Sequence, residues 1–425
     1  MPKSRVVGGT HRVPGDKSIT HRALLFAALA PGRSTVTGAL TSLDARSTAR
    51  VLRQLGAEVS PLRQGTPVEI RGRKRLVRSD TALDCGNSGT TARLLLGLLA
   101  AQRFSSRVTG DASLRRRPMR RVTDPLVAMG ARVTAGANDG LPLTITGGAL
   151  QALDWELAVA SAQVKSALLL AGAAGGVEVR LTERAATRDH TERFLRHFGF
   201  DITVRRGVLT LKPTGQFAPF DITVPGDPSS AIFLLAATLL ADRGDVRIAG
   251  VGLNPSRTGF LAVLRRMGAV IDEANVTESF GEPLGDLITQ PAMLVSTDIA
   301  ADEVPGVIDE IPMLACLAAR ARGTSRFVGL AELRVKESNR LELLATNLQR
   351  LGANARVDGD DLIIAGRDAP LAGRVVTHAD HRIAMAFTVL GRVAGNRIRV
   401  DDPACAAVSF PGFDVALAAL DQGTR

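Results

Sequence analysis

The chain has 425 residues, of which 45% are hydrophobic and 4% aromatic, and its formal net charge is +11 at pH 7. This length allows two or three domains that each bury a full core. The start MPKSRVVGGT has no apolar signal segment, and the longest apolar runs, such as AIFLLAATLLA at 231–241, are too short to span a bilayer. We therefore expect a cytoplasmic protein with no membrane partner.

The cysteines and the positive charge further narrow the classes of protein to which the chain could belong. Cys85, Cys316 and Cys405 lie far apart and show no CxxC spacing, which argues against a disulfide framework and against a zinc site, so no metal is expected. The charge fits either a nucleic-acid surface or a site for a polyanionic small molecule. Because the chain has no tyrosine and few other aromatic residues, few side chains could stack on single strands.

Six segments repeat one pattern, in which small or polar turn residues run directly into an apolar helix. Asp, Asn and Ser are favoured N-caps, so each predicted helix begins after such a residue. The repeat length is about seventy residues, long enough for the units to group into domains rather than stack as a solenoid. The predicted caps, in chain order, are Asp16, Asn87, Ser161, Asp227, Asp309 and Asp380.

A second marker runs in phase with the first: an apolar residue, then glycine, then a short alternating stretch. It reads LGAEV, MGARV, FGFDI, MGAVI and LGANA along the chain. Glycine there fits the position that ends a helix, and the alternation fits a strand. Each unit is predicted to read strand, helix, strand, helix, strands. The sixth marker would fall near residue 423, so we expect the N-terminus to supply the missing strand of that unit.

The letters VPGD occur twice, at 13–16 and at 224–227. The two copies lie about half a chain length apart, which predicts two similar halves of three repeats each, with a crossover at each copy. The predicted domains are residues 16–226, and residues 1–15 with 227–425, with crossovers near 13–16 and 224–228. The alternative is that PGD is only a common turn.

Charged and polar residues collect at the predicted helix starts, where free N–H groups and a partial positive charge favour anions. The stretch DCGNSGTTAR would let backbone amides approach a phosphate or carboxylate, although its glycines could equally serve a tight turn. The first half contributes Lys17, Ser18, Arg22, Asn87, Ser88, Gly89, Thr90, Arg117, Ser161, Gln163 and Arg188. The second half contributes Asp309, Glu310, Lys336, Glu337, Arg340, His381 and Arg382.

The segment RVKESNRLELL is predicted to start a helix, with Lys336 and Arg340 one turn apart on one face. Asp309 and Glu310 precede another apolar helix, where burial could shift their pKa values. Acids and a lysine facing a basic cluster suit proton transfer on anionic substrates. A solvated amphipathic helix start is the alternative interpretation. The run RRRPMRR at 115–121 fits a surface loop or a phosphate contact.

Together these motifs resemble the 5-enolpyruvylshikimate-3-phosphate synthase (EPSP synthase) family over essentially the whole chain. The resemblance depends on eight segments in the family's order and spacing: VPGDKSITHR, GNSGTTAR, RRRPM, ASAQVKSALLLAG, TRDHTER, IDEIPMLA, LRVKESNR and ADHRIAM. It implies an α/β fold, a two-domain inside-out α/β barrel of six βαβαββ repeats, three per domain, closing on a cleft when ligand binds. It also implies transfer of the enolpyruvyl group of phosphoenolpyruvate to the 5-hydroxyl of shikimate 3-phosphate, as a monomer, without cofactor or metal, and inhibition by glyphosate.

The resemblance also implies residue roles. Asp309 would accept the proton of the 5-hydroxyl, Glu337 would exchange a proton with the methylene carbon, and Lys17 would assist proton transfer. Shikimate 3-phosphate would be bound by Lys17, Ser18, Arg22, Ser161, Ala162, Gln163, Arg188, Asp309 and Lys336. Phosphoenolpyruvate would be bound by Lys17, Asn87, Gly89, Arg117, Gln163, Arg340 and Arg382.

Two rival functions and two departures from the family pattern stay open. A related UDP-N-acetylglucosamine enolpyruvyl transferase would carry a reactive cysteine in a loop that here reads ASLRRRPMRR. A nucleic-acid-binding protein would explain the charge but not Asp309 and Glu337 among cationic turns. The family sometimes has lysine where this chain has Val408, and often tyrosine where the Arg188 segment lies, so it stays open which contacts replace those of the family's lysine and tyrosine.

Overall fold

A computed structural model describes residues 5–136 and 139–422 of the chain. Its residues form two compact units. The first unit comprises Gly15–Val224 together with Glu278–Glu282. The second unit comprises the described residues of the stretches Met1–Pro14, Pro225–Thr277 and Pro283–Arg425. The domain limits inferred from the sequence stay a prediction.

Helices and short strands alternate along both units. The helices are α1 Lys17–Leu29, α2 Leu43–Gln54, α3 Gly89–Ala100, α4 Ala112–Arg115, α5 Arg120–Ala128, α6 Ala162–Gly175, α7 His190–His197, α8 Pro228–Leu239, α9 Gly259–Arg266, α10 Val304–Val307, α11 Ile311–Ala318, α12 Arg340–Arg350, α13 His381–Gly391 and α14 Phe413–Ala418. Short 3₁₀ helices cover Ala331–Val335 and Pro403–Val408. Within the described residues, no helix has the length and apolar character needed to cross a membrane.

The strands are short and follow the same repeat. They are β1 Val6–His11, β2 Gly32–Thr37, β3 Glu58–Val59, β4 Val68–Gly72, β5 Leu83–Asp84, β6 Ser105–Thr109, β7 Arg132–Thr134, β8 Leu143–Thr146, β9 Leu153–Glu156, β10 Val179–Thr182, β11 Asp201–Arg205, β12 Val208–Lys212, β13 Asp221–Thr223, β14 Arg243–Gly252, β15 Ile271–Ser279, β16 Glu282–Thr289, β17 Asp298–Ile299, β18 Thr324–Phe327, β19 Asn354–Asp358, β20 Asp361–Ala365, β21 Ala372–Val375 and β22 Arg397–Val400.

The first unit contains three four-stranded sheets of one design. Their strand orders are β13-β2-β4-β3, β5-β6-β8-β7 and β9-β10-β12-β11. In each of these orders the first strand pairs in parallel with the second, and every later pair of neighbours is antiparallel. A helix joins the parallel strands in two of them, α3 between β5 and β6 and α6 between β9 and β10, which is the connection that parallel pairing requires. The predicted α/β class is therefore confirmed, although the described strands form separate small sheets rather than a closed barrel.

The second unit contains sheets β1-β14-β16-β15 and β17-β18-β20-β19 and the two-stranded sheet β21-β22. The expectation that the N-terminus completes the sixth repeat is met only in part. Strand β1 pairs in parallel with β14, from Val6 opposite Arg243 to His11 opposite Ile248, and so belongs to the sheet of the fourth repeat. On its other side, Val7 forms an antiparallel bridge with Asp421, near the end of the sixth repeat. The backbone N–H of Asp227 donates to the Pro14 carbonyl at 2.8 Å, which keeps the chain after β1 beside the start of α8.

The hairpin formed by β15 and β16 has an unexpected feature at its tip, because Glu278–Glu282 belongs to the first unit. The Phe280 ring lies 4.9 Å from the ring of Phe194. Buried Glu282 meets the ring nitrogen Nδ1 of His190 at 2.8 Å. No sequence pattern indicated that Glu278–Glu282 would belong to the first unit, because this depends on contacts between residues far apart in the chain.

Most of the predicted helix caps are confirmed. The Asp16 carboxylate accepts from the backbone N–H of Ile19 at 2.8 Å, and Asp227 and Asp380 cap α8 and α13 in the same way. Ser161 is the N-cap of α6 but makes no side-chain capping bond. The five marker glycines all have positive φ, between 77° and 104°, as residues that end helices in the left-handed region should.

Two of the caps are displaced by one residue. Helix α3 is capped by Ser88, which accepts from the N–H of Thr91 at 3.1 Å, and Asn87 precedes it. In helix α11 the N-cap position is taken by Glu310 rather than Asp309, without a side-chain capping bond. The reason in both cases is that the polar side chain is engaged elsewhere, as the site geometry below shows.

The helices that follow these caps are apolar on nearly every face because they are buried in the core of their unit. In the first unit α3 packs on α6, and in the second unit α11 and α8 pack on α13. Gly97 makes the closest of these approaches possible, since a Cβ there would lie 2.0 Å from the carbonyl oxygen of Ala167. The buried helices therefore fix where each capped turn lies.

Candidate active site

The start of α1 presents a lysine that is held by a carboxylate. Lys17 forms a short ion pair with Asp44, the second residue of α2. Its side chain keeps 18% of its exposure, so the ammonium is oriented but reachable. The neighbouring carbonyl of Ser18 accepts from Nη1 of Arg22 at 2.9 Å. The first turn of α1 thus gathers two cations and a hydroxyl.

Arg22 is a buried cation with neutral partners. Its Nε donates to the Thr191 hydroxyl at 2.7 Å and its Nη2 to the Ser166 hydroxyl at 2.6 Å. Burial lowers the pKa of Arg22 to about 10, which still leaves the guanidinium charged at neutral pH. These neutral acceptors fix the guanidinium in place, and the nearby Glu192 and Asp16 carboxylates act to raise its pKa against the effect of burial.

The turn before α3 holds a second cation. Nη2 of Arg117 donates to Oδ1 of Asn87 at 2.8 Å, and Nδ2 of Asn87 donates to Asp111 at 2.7 Å. These two bonds occupy the Asn87 side chain, which explains why Ser88 caps the helix instead. Arg117 is buried, so its guanidinium is held against this turn.

Gly89 lies directly under two guanidinium groups. A Cβ at this position would be 2.9 Å from Nη1 of Arg93 and 3.2 Å from Nη1 of Arg117. Arg93 also donates to Oε1 of Gln163 at 2.6 Å, and Nε2 of Gln163 donates to the Thr90 hydroxyl at 3.0 Å. The absence of a side chain at Gly89 lets these two guanidinium groups approach the backbone at a helix N-terminus, and such a concentration of positive charge suits a small anion.

The remaining predicted residues of the first unit lie on α6 and before α7. Ser161, Ala162 and Gln163 form the first turn of α6. Arg188 is half-buried in the segment between β10 and α7. Gln163 reaches the α3 turn through its two hydrogen bonds, whereas Arg188 lies two residues before α7.

In the second unit, Arg340 is the centre of a buried charge cluster. Its side chain is 1% exposed, and it binds Asp380 through Nε at 2.8 Å and Nη2 at 3.2 Å. Nη2 also lies 2.6 Å from Glu337, and Nη1 lies 3.7 Å from Asp309. Burial acts to lower the pKa of Arg340, but the Asp380 and Glu337 carboxylates outweigh it and raise that pKa.

Asp309 joins this cluster to Arg382. Nε of Arg382 lies 3.8 Å from the Asp309 carboxylate, and Nη1 donates to the Asp309 carbonyl at 2.9 Å. This engagement of the side chain is why Glu310 stands at the cap position of α11. Glu310 is buried and forms a short hydrogen bond with the Ser229 hydroxyl of α8.

Lys336 is not on the helix that the sequence predicted. It lies between the 3₁₀ helix Ala331–Val335 and α12, which begins at Arg340 behind its cap Asn339. The Asn339 side chain accepts from the N–H of Glu342 and so starts the helix later than expected. Burial lowers the pKa of Lys336, and the nearby Asp309 and Glu337 carboxylates oppose that shift. The lysine therefore lies among the same acids as Arg340.

Within each unit, then, the structure brings the predicted residues together in clusters. In the first unit these are the α1 residues Lys17, Ser18 and Arg22, and the α3–α6 residues Asn87, Gly89, Arg117 and Gln163. In the second unit they are Asp309, Lys336, Glu337, Arg340 and Arg382. Val408 ends the 3₁₀ helix Pro403–Val408 and belongs to none of these clusters. Across the described residues, no group of three or more metal-ligating side chains is found.

Sequence reasoning missed four residues that hold these clusters. Arg93 lies inside the quoted GNSGTTAR segment and could have been found there, and Asp380 was predicted only as a cap. Asp44, the partner of Lys17, and Thr191, the partner of Arg22, had no local signal. Asp44 lies on another helix of the same repeat as Lys17, and Thr191 lies in a different repeat from Arg22, so both roles depend on contacts between separate segments.

Comparisons with known proteins agree on one family. A family model described as EPSP synthase (3-phosphoshikimate 1-carboxyvinyltransferase) matches residues 2–417. A protein of Gluconobacter oxydans named 3-phosphoshikimate 1-carboxyvinyltransferase is 48% identical over 98% of this chain and 96% of its own length. A protein of the same name from Acidiphilium cryptum is 48% identical over 95% of this chain and 92% of its own length.

Solved structures give the same result for the fold. A structure of EPSP synthase from Acinetobacter baumannii has a TM-score of 0.87 and 39% identity, and the match covers 99% of this chain and 97% of that one. The enolpyruvyl transferase NikO from Streptomyces tendae has a TM-score of 0.78 over 99% of this chain and 96% of its own, at 18% identity. This second likeness concerns the fold alone.

Proposed function

Since the chain belongs to the EPSP synthase family and is an enzyme of enolpyruvyl transfer in aromatic amino-acid biosynthesis, we propose that it performs this reaction with the charged residues described above. The acceptor is the 5-hydroxyl of shikimate 3-phosphate, the donor is phosphoenolpyruvate, and phosphate is released. The observation that carries the proposal is the cluster around Arg340, in which Asp309 and Glu337 lie beside buried cations. A binding protein for anions would need the cations but not the acids.

The cations are assigned to the anionic groups of the two substrates, which together bring two phosphates and two carboxylates. Such groups are bound best by fixed guanidinium groups and helix N-termini. Shikimate 3-phosphate is bound by Lys17, Ser18, Arg22, Ser161, Ala162, Gln163, Arg188, Asp309 and Lys336. Phosphoenolpyruvate is bound by Lys17, Asn87, Gly89, Arg117, Gln163, Arg340 and Arg382. The close approach of the Arg93 and Arg117 guanidinium groups to Gly89 supports the second assignment.

The chemistry requires two proton transfers. Addition of the 5-hydroxyl to the donor forms a tetrahedral intermediate, so one group must take the hydroxyl proton and another must protonate the methylene carbon. Asp309 takes the hydroxyl proton, because Arg340 and Arg382 within 4 Å favour its ionised form. Glu337 delivers a proton to carbon and recovers it when phosphate leaves. Lys17 contacts phosphoenolpyruvate and assists proton transfer.

We also propose that the protein acts as a monomer in the cytoplasm, without cofactor. On this proposal the net charge of +11 serves anionic substrates and not nucleic acid. Binding to DNA with a steep salt dependence would contradict that assignment.

The decisive experiment is phosphate release measured with both substrates together and with each alone. Release only when shikimate 3-phosphate and phosphoenolpyruvate are both present is the expected result. Replacement of shikimate 3-phosphate by UDP-N-acetylglucosamine separates this reaction from that of the related transferase. Turnover with the nucleotide sugar, and none with shikimate 3-phosphate, would overturn the proposed acceptor.

A further inference from the structure

Lys165 carries a buried charge that the proposed reaction does not use. It is the fourth residue of α6, and its side chain is 2% exposed. Its ammonium lies 2.7 Å from Oε1 of Glu192 and 3.1 Å from Oε2 of Glu183, and it donates to the carbonyl of Thr187 at 3.2 Å. An ammonium has three N–H donors, and these three acceptors use all of them.

The three acceptors belong to consecutive parts of the chain that follows β10. Glu183 directly follows that strand, Thr187 lies in the loop, and Glu192 lies in α7. The Thr187 hydroxyl also donates to Oε1 of Glu183 at 2.7 Å. Lys165 therefore ties the first turn of α6 to the segment 183–189, and its bond to Thr187 ends one residue before Arg188.

The composition of the charge cluster of Lys165, Glu183 and Glu192 argues against a role in stability alone. The side chains of Glu183 and Glu192 are 10% and 3% exposed, and one oxygen of Glu192 has no hydrogen-bond partner among the described residues. Burial of three charged groups is costly, and apolar residues of similar volume often serve a fold equally well or better. A buried ammonium that joins two segments instead fixes their relative position, which is a requirement of a binding site.

The segment that Lys165 fixes carries one proposed ligand of shikimate 3-phosphate, and the helix that carries Lys165 begins with three more. The first turn of α6 contains Ser161, Ala162 and Gln163, and the segment contains Arg188. A loop that must become ordered when ligand binds lowers affinity, whereas a loop held in place in advance does not. The contacts of Lys165 are therefore expected to increase the affinity for shikimate 3-phosphate.

We propose that Lys165 is a positioning residue for shikimate 3-phosphate, which holds the segment 183–189 so that Arg188 meets the substrate. This inference rests on the proposed function, because it takes Arg188 as a ligand of that substrate. Lys165 itself does not touch the reacting atoms. Its effect should thus appear in the KM for one substrate and not in the chemical step.

The first test is Lys165→Met, which keeps an unbranched side chain one atom shorter and removes the charge. The KM for shikimate 3-phosphate should rise about tenfold or more, while the KM for phosphoenolpyruvate and kcat stay within about twofold of wild type. The matched control is Lys212→Met, since Lys212 is an exposed lysine of the same unit, 3.8 Å from Asp201, and should change none of these values. Equal rises in both KM values would overturn the proposal.

A second variant separates positioning from folding. Lys165→Met alone leaves two carboxylates buried together, so it should also lower the thermal midpoint. Adding Glu192→Gln removes one of those charges and should recover part of that midpoint. A KM for shikimate 3-phosphate that stays raised in the double variant supports positioning. A KM that returns to the wild-type value together with the midpoint would show a merely structural role and overturn the proposal.

A double-mutant cycle tests whether Lys165 acts through Arg188. Arg188→Ala should raise the KM for shikimate 3-phosphate, and Lys165→Met in that background should then add less than about twofold. If the two effects multiply, Lys165 does not act through Arg188 and the proposal is wrong. If Arg188→Ala leaves the KM unchanged, Arg188 is not a ligand of shikimate 3-phosphate, and the proposed role of Lys165 is wrong as well. Turnover of the wild-type enzyme, measured in the same assay, tests the proposed reaction separately.

Discussion

His21 allows the stability of the first unit to be linked to pH. It is fully buried on α1, and its Nδ1 lies 2.7 Å from the Thr48 hydroxyl. That hydroxyl lies 2.6 Å from the hydroxyl of Thr91, which donates to Ser88 at 2.8 Å. Since each hydroxyl has one hydrogen, Thr48 must donate to Thr91, and His21 must donate to Thr48 through a protonated Nδ1. The other ring nitrogen, Nε2, has no partner among the described residues.

This environment keeps the ring neutral. Burial, followed by the charges of Lys17 and Arg22, lowers the pKa of His21 to about 3. In the unfolded chain the pKa is about 6.5. Between these values the unfolded state binds a proton that the folded state does not, so the contribution to stability is complete above pH 6.5 and is lost as the pH falls. The loss is about 1.4 kcal/mol per pH unit within that window, or roughly 2 kcal/mol between pH 7 and pH 5.

The matched variant is His21→Asn, in which Nδ2 can take the place of Nδ1 as donor and no partner is lost at Nε2. Urea unfolding at pH 7 and at pH 5 can be followed by fluorescence of Trp155, the chain's single tryptophan, which lies in β9 of the same unit. The wild type should lose about 2 kcal/mol more than the variant between these pH values. An equal loss in both proteins would refute the neutral buried ring.

Substitutions in the candidate site separate chemistry, ligand shape and folding. Lys17→Met and Asp309→Asn should each lower kcat at least about a hundredfold, and a kcat within about tenfold of wild type would remove that residue from the proton-transfer scheme. Gly89→Ala should weaken inhibition by glyphosate, an anion longer than phosphoenolpyruvate, by about 1–3 kcal/mol more than it weakens the substrate, because the new methyl group crowds two guanidinium groups. Equal changes in the inhibition constant and the KM would place this glycine away from the donor. Asp380→Asn keeps a cap acceptor but removes a carboxylate from buried Arg340, so urea unfolding at pH 7 should show a loss of roughly 3 kcal/mol, and a loss below about 1 kcal/mol would contradict the importance of this pair.

Local signals in the sequence were sufficient to predict the repeated pattern of helix caps and marker glycines. Gly56 and the four other marker glycines have positive φ, and Asp16, Asp227 and Asp380 cap the helices that follow them. Both features depend on residues within one or two turns of each other. They could be predicted because a cap or a left-handed residue restricts the amino acid at its own position.

The predicted helix caps were wrong where the side chain had a partner outside its own turn. Asn87 and Asp309 were predicted as caps, but each is engaged by an arginine from another segment. Lys336 precedes α12 because Asn339 caps that helix, and a simple spacing rule does not distinguish the two starts. The pairing of strand β1 with β14 was not predicted, because strand pairing between distant segments leaves no mark in local composition. For the same reason the partners of Lys165 could not be predicted.

The two VPGD copies show how one turn serves two purposes. Asp16 and Asp227 both cap a buried apolar helix, so the backbone role of the turn is retained in each copy. In the second copy, Asp227 also binds buried Arg257 at 3.0 Å, and that arginine donates to Ser229 at 2.9 Å. There a carboxylate directly compensates the cation. In the first copy the cation on the helix, Arg22, is held by hydroxyl groups of α6 and α7. The two copies also differ in sequence, since Lys17 and Arg22 of the first stand where the second has Pro228 and Phe233. Only the first copy therefore contributes cations to the candidate site, and the second supports its own unit.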